Sequence, residues 1–151
     1  MKRLLAICIF AIAPVVFSIG NKEAELISAV QKGDVAGVNK ALEVKPDLNA
    51  HDKNGGCALI YAVTTKNSKI LKMLIDAGAD VNAKSINADG KAGNPAIIYA
   101  VTGRNTEILK MLIAAKADVN AKTWDDMTPL EIANALQLKE QGKILKAAGA
   151  K

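Results

Sequence analysis

The chain has 151 residues, of which half are apolar, and a formal charge of +5. That length and apolar content suit one ordinary domain. They exclude global disorder and the paired large domains of most cofactor enzymes. With aromatics at 3 %, one histidine and two cysteines, the chain lacks the rings to stack several bases or cage a cation, and the ligands for a zinc site rich in Cys and His.

Residues 1–20 read MKRLLAICIFAIAPVVFSIG: a short basic start at Lys2 and Arg3, an uncharged apolar run from Leu4 to Phe17, then small residues at Ser18 and Gly20. This is the three-part layout of a secretory signal peptide. The run is short for a membrane span, which needs about 20 residues, and Pro14 opposes a regular helix. Cleavage after Ser18 or after Gly20 is expected, with a retained anchor as the alternative. Cys8 follows Ile7 rather than a small residue, so it reads as signal filler and not as a lipidation site. Removal of the segment lowers the formal charge to +3 and leaves Cys57 as the one cysteine, so no intramolecular disulfide can form. No Asn-x-Ser/Thr sequon occurs. The expected location is the periplasm or the extracellular space, with no membrane contact after cleavage and no nucleic-acid partner.

The remainder is repetitive. Asp47-Leu-Asn-Ala50, Asp80-Val-Asn-Ala83 and Asp118-Val-Asn-Ala121 follow one another at spacings of 33 and 38. Ala58-Leu-Ile-Tyr-Ala-Val-Thr64 returns as Ala96-Ile-Ile-Tyr-Ala-Val-Thr102, and Ile70 to Ile75 returns identically as Ile108 to Ile113. Thr128-Pro-Leu lies 33 beyond Pro95-Ala-Ile, so the period is 33 with five extra residues in one connection.

In chain order, a first helix is expected over 23–30. Leu59, Ala62 and Val63 then give one apolar helical face, and Ile70, Leu71, Leu74 and Ile75 give another. Gly78 is placed to end that second helix in the left-handed conformation. Ala62, Ala100 and Ala133 recur where neighbouring helices could approach closely. The last unit predicts helices near 130–138 and 141–148, the second one shortened and carrying Lys143 and Lys146 as a polar end face. Two positions depart from the repeat: Lys116 stands in the place of Gly78, and Asp126 in that of Gly55.

A period of 33 carrying Thr-Pro-Leu-x-x-Ala and Gly-Ala-Asp-Val-Asn-Ala resembles the ankyrin repeat. The resemblance runs from Glu23 to the C-terminus. It implies an all-α solenoid of about four helix–turn–helix units with β-hairpin fingers, at roughly 22–51, 52–84, 85–122 and 123–151 within a domain over 21–151. It also implies a role in protein–protein binding.

The inventory for chemistry is thin. His51 sits at the base of a finger as an exposed residue, with no nucleophile and acid converging on it. Cys57 occupies the Thr position of the Thr-Pro-Leu string and reads as a small, partly buried residue, with a thiol activated by the helix N-terminus as the alternative. Asp125 and Asp126 belong to a turn and offer too few oxygens for a metal. Asp80 and Asp118 hold turns. Gly90, Lys91 and Gly93 match no phosphate-loop spacing and read as a lengthened, flexible finger, 85–94. Lys66, Lys69, Lys72 and Lys110 lie mostly on the second helices and read as a solvated face. No enzyme activity, cofactor or metal is expected.

In the resembled family, partners meet finger tips and the exposed side of the first helices. Carried over position by position, this implies Lys53, Asn54, Gly56, Thr64 and Thr65 in unit two. It implies Lys91, Ala92, Asn94 and Thr102 in unit three, and Trp124, Asp125 and Met127 in unit four. Trp124 is read either as an interface anchor or as packed on the preceding finger. Tyr61 and Tyr99 read as core-edge packing. The function expected is a monomeric adaptor that binds an unidentified protein outside the cytoplasm. The alternatives are an inhibitor or immunity-type protein covering an enzyme or toxin, and an envelope protein held by an uncleaved anchor.

Overall fold

The computed structural model describes residues 20–151. The expected signal peptide, apart from Gly20, lies outside the described residues, as does Cys8. Eight helices and one small sheet follow in order: α1 (Asn21–Lys32), α2 (Val35–Glu43), α3 (Ala58–Thr64), α4 (Ser68–Asp76), β1 (Lys84–Ile86), β2 (Ala92–Pro95), α5 (Ala96–Thr102), α6 (Thr106–Ala114), α7 (Pro129–Ala135) and α8 (Lys139–Ala147). Each odd-numbered helix packs on the even-numbered helix that follows it. The odd helices stack as one layer and the even helices as a second.

The helix ends explain the tight pairing. Every helix is followed by a left-handed residue: Gly33, Lys45, Lys66, Gly78, Arg104, Lys116, Gln137 and Gly149. In each case the N–H of this residue donates to the carbonyl three residues back. In all but one, the next N–H donates five residues back, as Asn67 N does to Ala62 O at 3.1 Å and Ala79 N to Leu74 O at 2.9 Å. Both orphan carbonyls of the last turn are thereby satisfied. The exception is Pro46 after α2, which has no N–H to give. Between paired helices the following residue caps the new helix. Asp34, Asn67 and Asn105 accept from the N–H groups of Gly37, Ile70 and Ile108, each at 3.0 Å. Leu138 holds this place before α8 and is buried instead.

The core repeats with the chain. Leu26, Leu59, Ile97 and Leu130 occupy one register position on the odd helices, and Ala29, Ala62, Ala100 and Ala133 another; all are buried. Val38, Leu71 and Leu109 form a fully buried column on the even helices. No helix pair alone could cover both faces, so the apolar core exists only between neighbours.

A polar ladder runs alongside. Within each Asp-x-Asn turn, Asp47, Asp80 and Asp118 accept from the N–H of Asn49, Asn82 and Asn120 at 2.9 Å. Each asparagine then reaches the next unit. Asn49 Oδ1 accepts from Asp80 N at 3.0 Å, Asn82 Oδ1 from Asp118 N at 2.8 Å, and Asn120 Oδ1 from Lys151 N at 2.9 Å. At the start of the ladder Glu23 Oε1 replaces an asparagine and accepts from Asp47 N at 3.0 Å.

The fold is mostly helical with one small sheet. The long finger 85–94 is an antiparallel hairpin, with Lys84 paired to Pro95 and Ile86 to Ala92 across a bulge. One expectation about the helices is corrected: the last one is not shortened, because α8 has nine residues like α2, α4 and α6.

Lys116 has φ +69°, in the conformation that Gly78 adopts at φ +92°. Lys116→Gly is expected to raise the unfolding free energy by about 1 kcal/mol, measured by urea denaturation. The bond from Asp47 N holds the Glu23 carboxyl below its usual range. Such a group stabilises the fold above its unfolded pKa, and that contribution disappears as pH falls through the lower, folded value. Glu23→Gln should therefore melt below the wild type at neutral pH, and the two melting temperatures should converge in acid.

Candidate protein-binding surface

Three fingers project from the odd-helix layer, and their tips share one construction. Asp52 N donates to Gly56 O, Asn87 N to Lys91 O and Thr123 N to Met127 O, each at 2.9 Å. Each pair closes a three-residue loop whose last member is left-handed: Gly55, Gly90 and Asp126, with φ between +68° and +76°. The leading side chain braces the loop from inside. Asp52 Oδ1 accepts from the N–H of Asn54 at 2.9 Å and of Gly56 at 3.1 Å. Asn87 Oδ1 accepts from Asp89 N at 3.1 Å and Lys91 N at 2.8 Å. Thr123 Oγ1 accepts from Met127 N at 3.0 Å while its hydroxyl donates to Asp125.

The tyrosines tie fingers to helices. Tyr61 OH donates to Asp52 Oδ2 at 2.8 Å, and Tyr99 OH donates to Ser85 Oγ at 3.0 Å. Burial, followed by the bond to Asp52, pushes the Tyr61 phenol up from its usual range. The third finger has Ile132 at this position and relies on its Thr128–Glu131 capping box. There the N–H and hydroxyl of Thr128 lower the Glu131 carboxyl.

Fingers one and two are also joined to each other. Ile86 N donates to Gly55 O at 2.7 Å, and the His51 ring Nε2–H donates to Lys84 O at 2.7 Å. His51 is thus a half-buried bridge between fingers, not the exposed residue expected. A cleft of about 380 Å³ lies between the two tips, lined by His51, Lys53, Asn54, Ile86, Asn87 and Ala88 among others. Among the described residues no backbone bond joins the long finger to the third.

Lys53 and Asn54 stand exposed on the first tip. Thr64, Thr65 and Thr102 are exposed at the ends of α3 and α5. Their hydroxyls already donate to the carbonyls of Tyr61 (Thr64 and Thr65) and Ile98 (Thr102). Lys91 and Ala92 are exposed on the outgoing arm of the long finger. Trp124 is 73 % exposed, the most exposed large apolar side chain of the described residues. This removes the alternative in which it packs on its neighbour. Asp125 is exposed beside it, and Met127 is half-buried.

Two expected surface residues fail. Gly56 is buried, and a Cβ there would fall 2.6 Å from the Tyr61 ring. Asn94 lies half-buried at the base of β2, its N–H donating to Ser85 Oγ at 3.1 Å and its Oδ1 buried without a partner. Sequence reasoning missed Ala88 and Asp89, the exposed tip of the long finger, and Ile86 beneath it. Aligning the three leading residues Asp52, Asn87 and Thr123, each three positions before a left-handed residue, would have found them. Cys57 is fully buried, and burial pushes its thiol up, away from an activated thiolate.

Gly55 carries the joint between fingers. A Cβ there would sit 1.8 Å from Ile86 O, and φ is +76°. Gly55→Ala is expected to destabilise the fold by about 2 kcal/mol or more and to speed hydrogen exchange at the Ile86 amide, read by NMR.

The family model described as "Ankyrin repeats (3 copies)" matches residues 9–85 and 26–123. The mitochondrial disaggregase of Homo sapiens is 34% identical over 82 residues, which are 52% of this chain and 12% of that protein. The putative ankyrin repeat protein YahD of Escherichia coli (strain K12) is 37% identical over 65 residues, 43% of this chain and 32% of that protein. The chain therefore spans well under half the length of these curated relatives.

Proposed function

The chain belongs to the ankyrin-repeat family, and from that premise we propose that it is a four-unit protein-binding adaptor working outside the cytoplasm. Its partner meets the finger tips and the exposed ends of α3 and α5. The observation that carries this reading is Trp124, 73 % exposed on a finger whose turn is braced by Thr123. An exposed tryptophan on a rigid loop loses little side-chain freedom on binding and brings a large contact area. Lys53 and Asn54 on the first tip and Lys91 on the second extend the surface along the row. Thr64, Thr65 and Thr102 line its floor, and Asp125 and Met127 flank the tryptophan.

The extracytoplasmic location rests on the layout of residues 1–20. No helix of the described residues is long and apolar enough to cross a membrane.

The test is cross-linked capture from the native envelope, comparing the mature chain with a folded Trp124→Ala, Lys53→Ala variant. One protein held by the wild type and lost by the variant is the expected result. Equal capture by both would move the site away from the finger tips. The intact mass of the exported chain should lack the first 18 or 20 residues, whereas a full-length mass would favour a retained anchor.

A further inference from the structure

The two ends of the stack differ in a way that solubility does not require. At the first end, the cleft between α1 and α2 is bordered by Glu25 and Asp34 as well as by Lys32 and Lys40. At the other end, a cleft of about 450 Å³ opens between α7 and α8. Lys139, Lys143 and Lys146 line one side, Asn134 and Gln137 line the other, and no carboxylate borders it. Spacings of four and three put the three lysines on one face of α8. None is in an ion pair; those of the described residues are Lys72–Asp76 and Lys122–Asp126.

The floor of this cleft is equally unusual. Gly142 occupies the register position of Val38, Leu71 and Leu109, each of them fully buried. Glycine inside a helix is destabilising relative to alanine. A Cβ here would meet nothing closer than Asn134 Oδ1 at 3.9 Å, so packing does not demand glycine. A polar end face needs only a polar residue at 142. Glycine instead leaves a hollow floored by Ala133 and Leu138 and edged by ammonium groups.

We propose that this cleft is a second docking site, for an acidic segment of a partner protein. Its Glu or Asp carboxylates lie on Lys139, Lys143 and Lys146. Its backbone is held by the side-chain amides of Asn134 and Gln137, and its aliphatic stems enter the hollow at Gly142. The site is separate from the finger tips and does not depend on them.

The full chain is titrated with a hexaglutamate peptide and its amide resonances are followed. Saturable shifts at Asn134, Gln137 and Gly142 are expected, with binding that weakens as salt is added. The Lys139→Gln, Lys143→Gln, Lys146→Gln variant should bind at least about fivefold more weakly, while a Lys69→Gln, Lys72→Gln, Lys110→Gln variant of equal charge stays within about twofold. Gly142→Leu, which fills the hollow at unchanged charge, should also weaken binding; thermal melts verify that each variant is folded. Equal losses in both lysine variants, shifts elsewhere, or no saturable shift would overturn the proposal. So would inorganic phosphate, or vesicles rich in anionic lipid, binding the same lysines at least as tightly as the peptide.

Discussion

The rest of the structure depends on reversing the chain within about two residues after each helix. Helices of seven to twelve residues are too short to be stable alone in water. They persist here because each is folded back onto a neighbour before its backbone can fray. A left-handed residue makes that reversal possible by turning the last carbonyls toward two returning N–H groups. Only three of the eight positions hold glycine. Lys45, Lys66, Arg104 and Lys116 take four of the others, at an intrinsic cost of about 1 kcal/mol each. A cation at a helix C-terminus faces the negative end of the macrodipole, which offsets part of that cost.

Reversal builds pairs; two further devices join pairs into a slab. The apolar columns are non-directional and set how close neighbours lie. The asparagine ladder is directional and sets their register, because each Asn accepts a backbone N–H belonging to the next unit. The ladder also explains the Asp-x-Asn string: the aspartate fixes the turn that aims the asparagine. Function inherits this rigidity. The finger tips hang from the same turns, so their side chains are held in place before any partner arrives.

Much of this was legible in the sequence. The period gave the helix pairs, Gly78 marked a left-handed end, and its alignment with Lys116 found another. The same period aligns Lys45 with Gly78, and Lys66, Arg104 and Gln137 with Gly33; these went unread because nothing in a lysine, arginine or glutamine by itself announces positive φ. His51 looked like a variable surface residue because its acceptor is a carbonyl 33 residues away, which no side-chain pattern records. The polar tip residues of the first finger were found by position. Those of the second were displaced because a fixed offset was counted through an insertion.

That insertion has a definite anatomy. From Asp52 to Asn87 the leading residues are 35 apart, and from Asn87 to Thr123 they are 36 apart. Against a period of 33, two of the five extra residues lengthen the incoming arm and three the outgoing arm. The odd residue must bulge, and the register does shift between Lys84 and Ile86. Two residues of strand carry the middle tip about 7 Å beyond its neighbours. The row of tips is therefore not level. A flat partner would rest on the middle finger and leave Lys53 and Trp124 untouched. A partner reaching both must present a hollow that straddles Ala88 and Asp89, with the first two fingers locked together by Gly55 and His51 and the third free of that backbone joint.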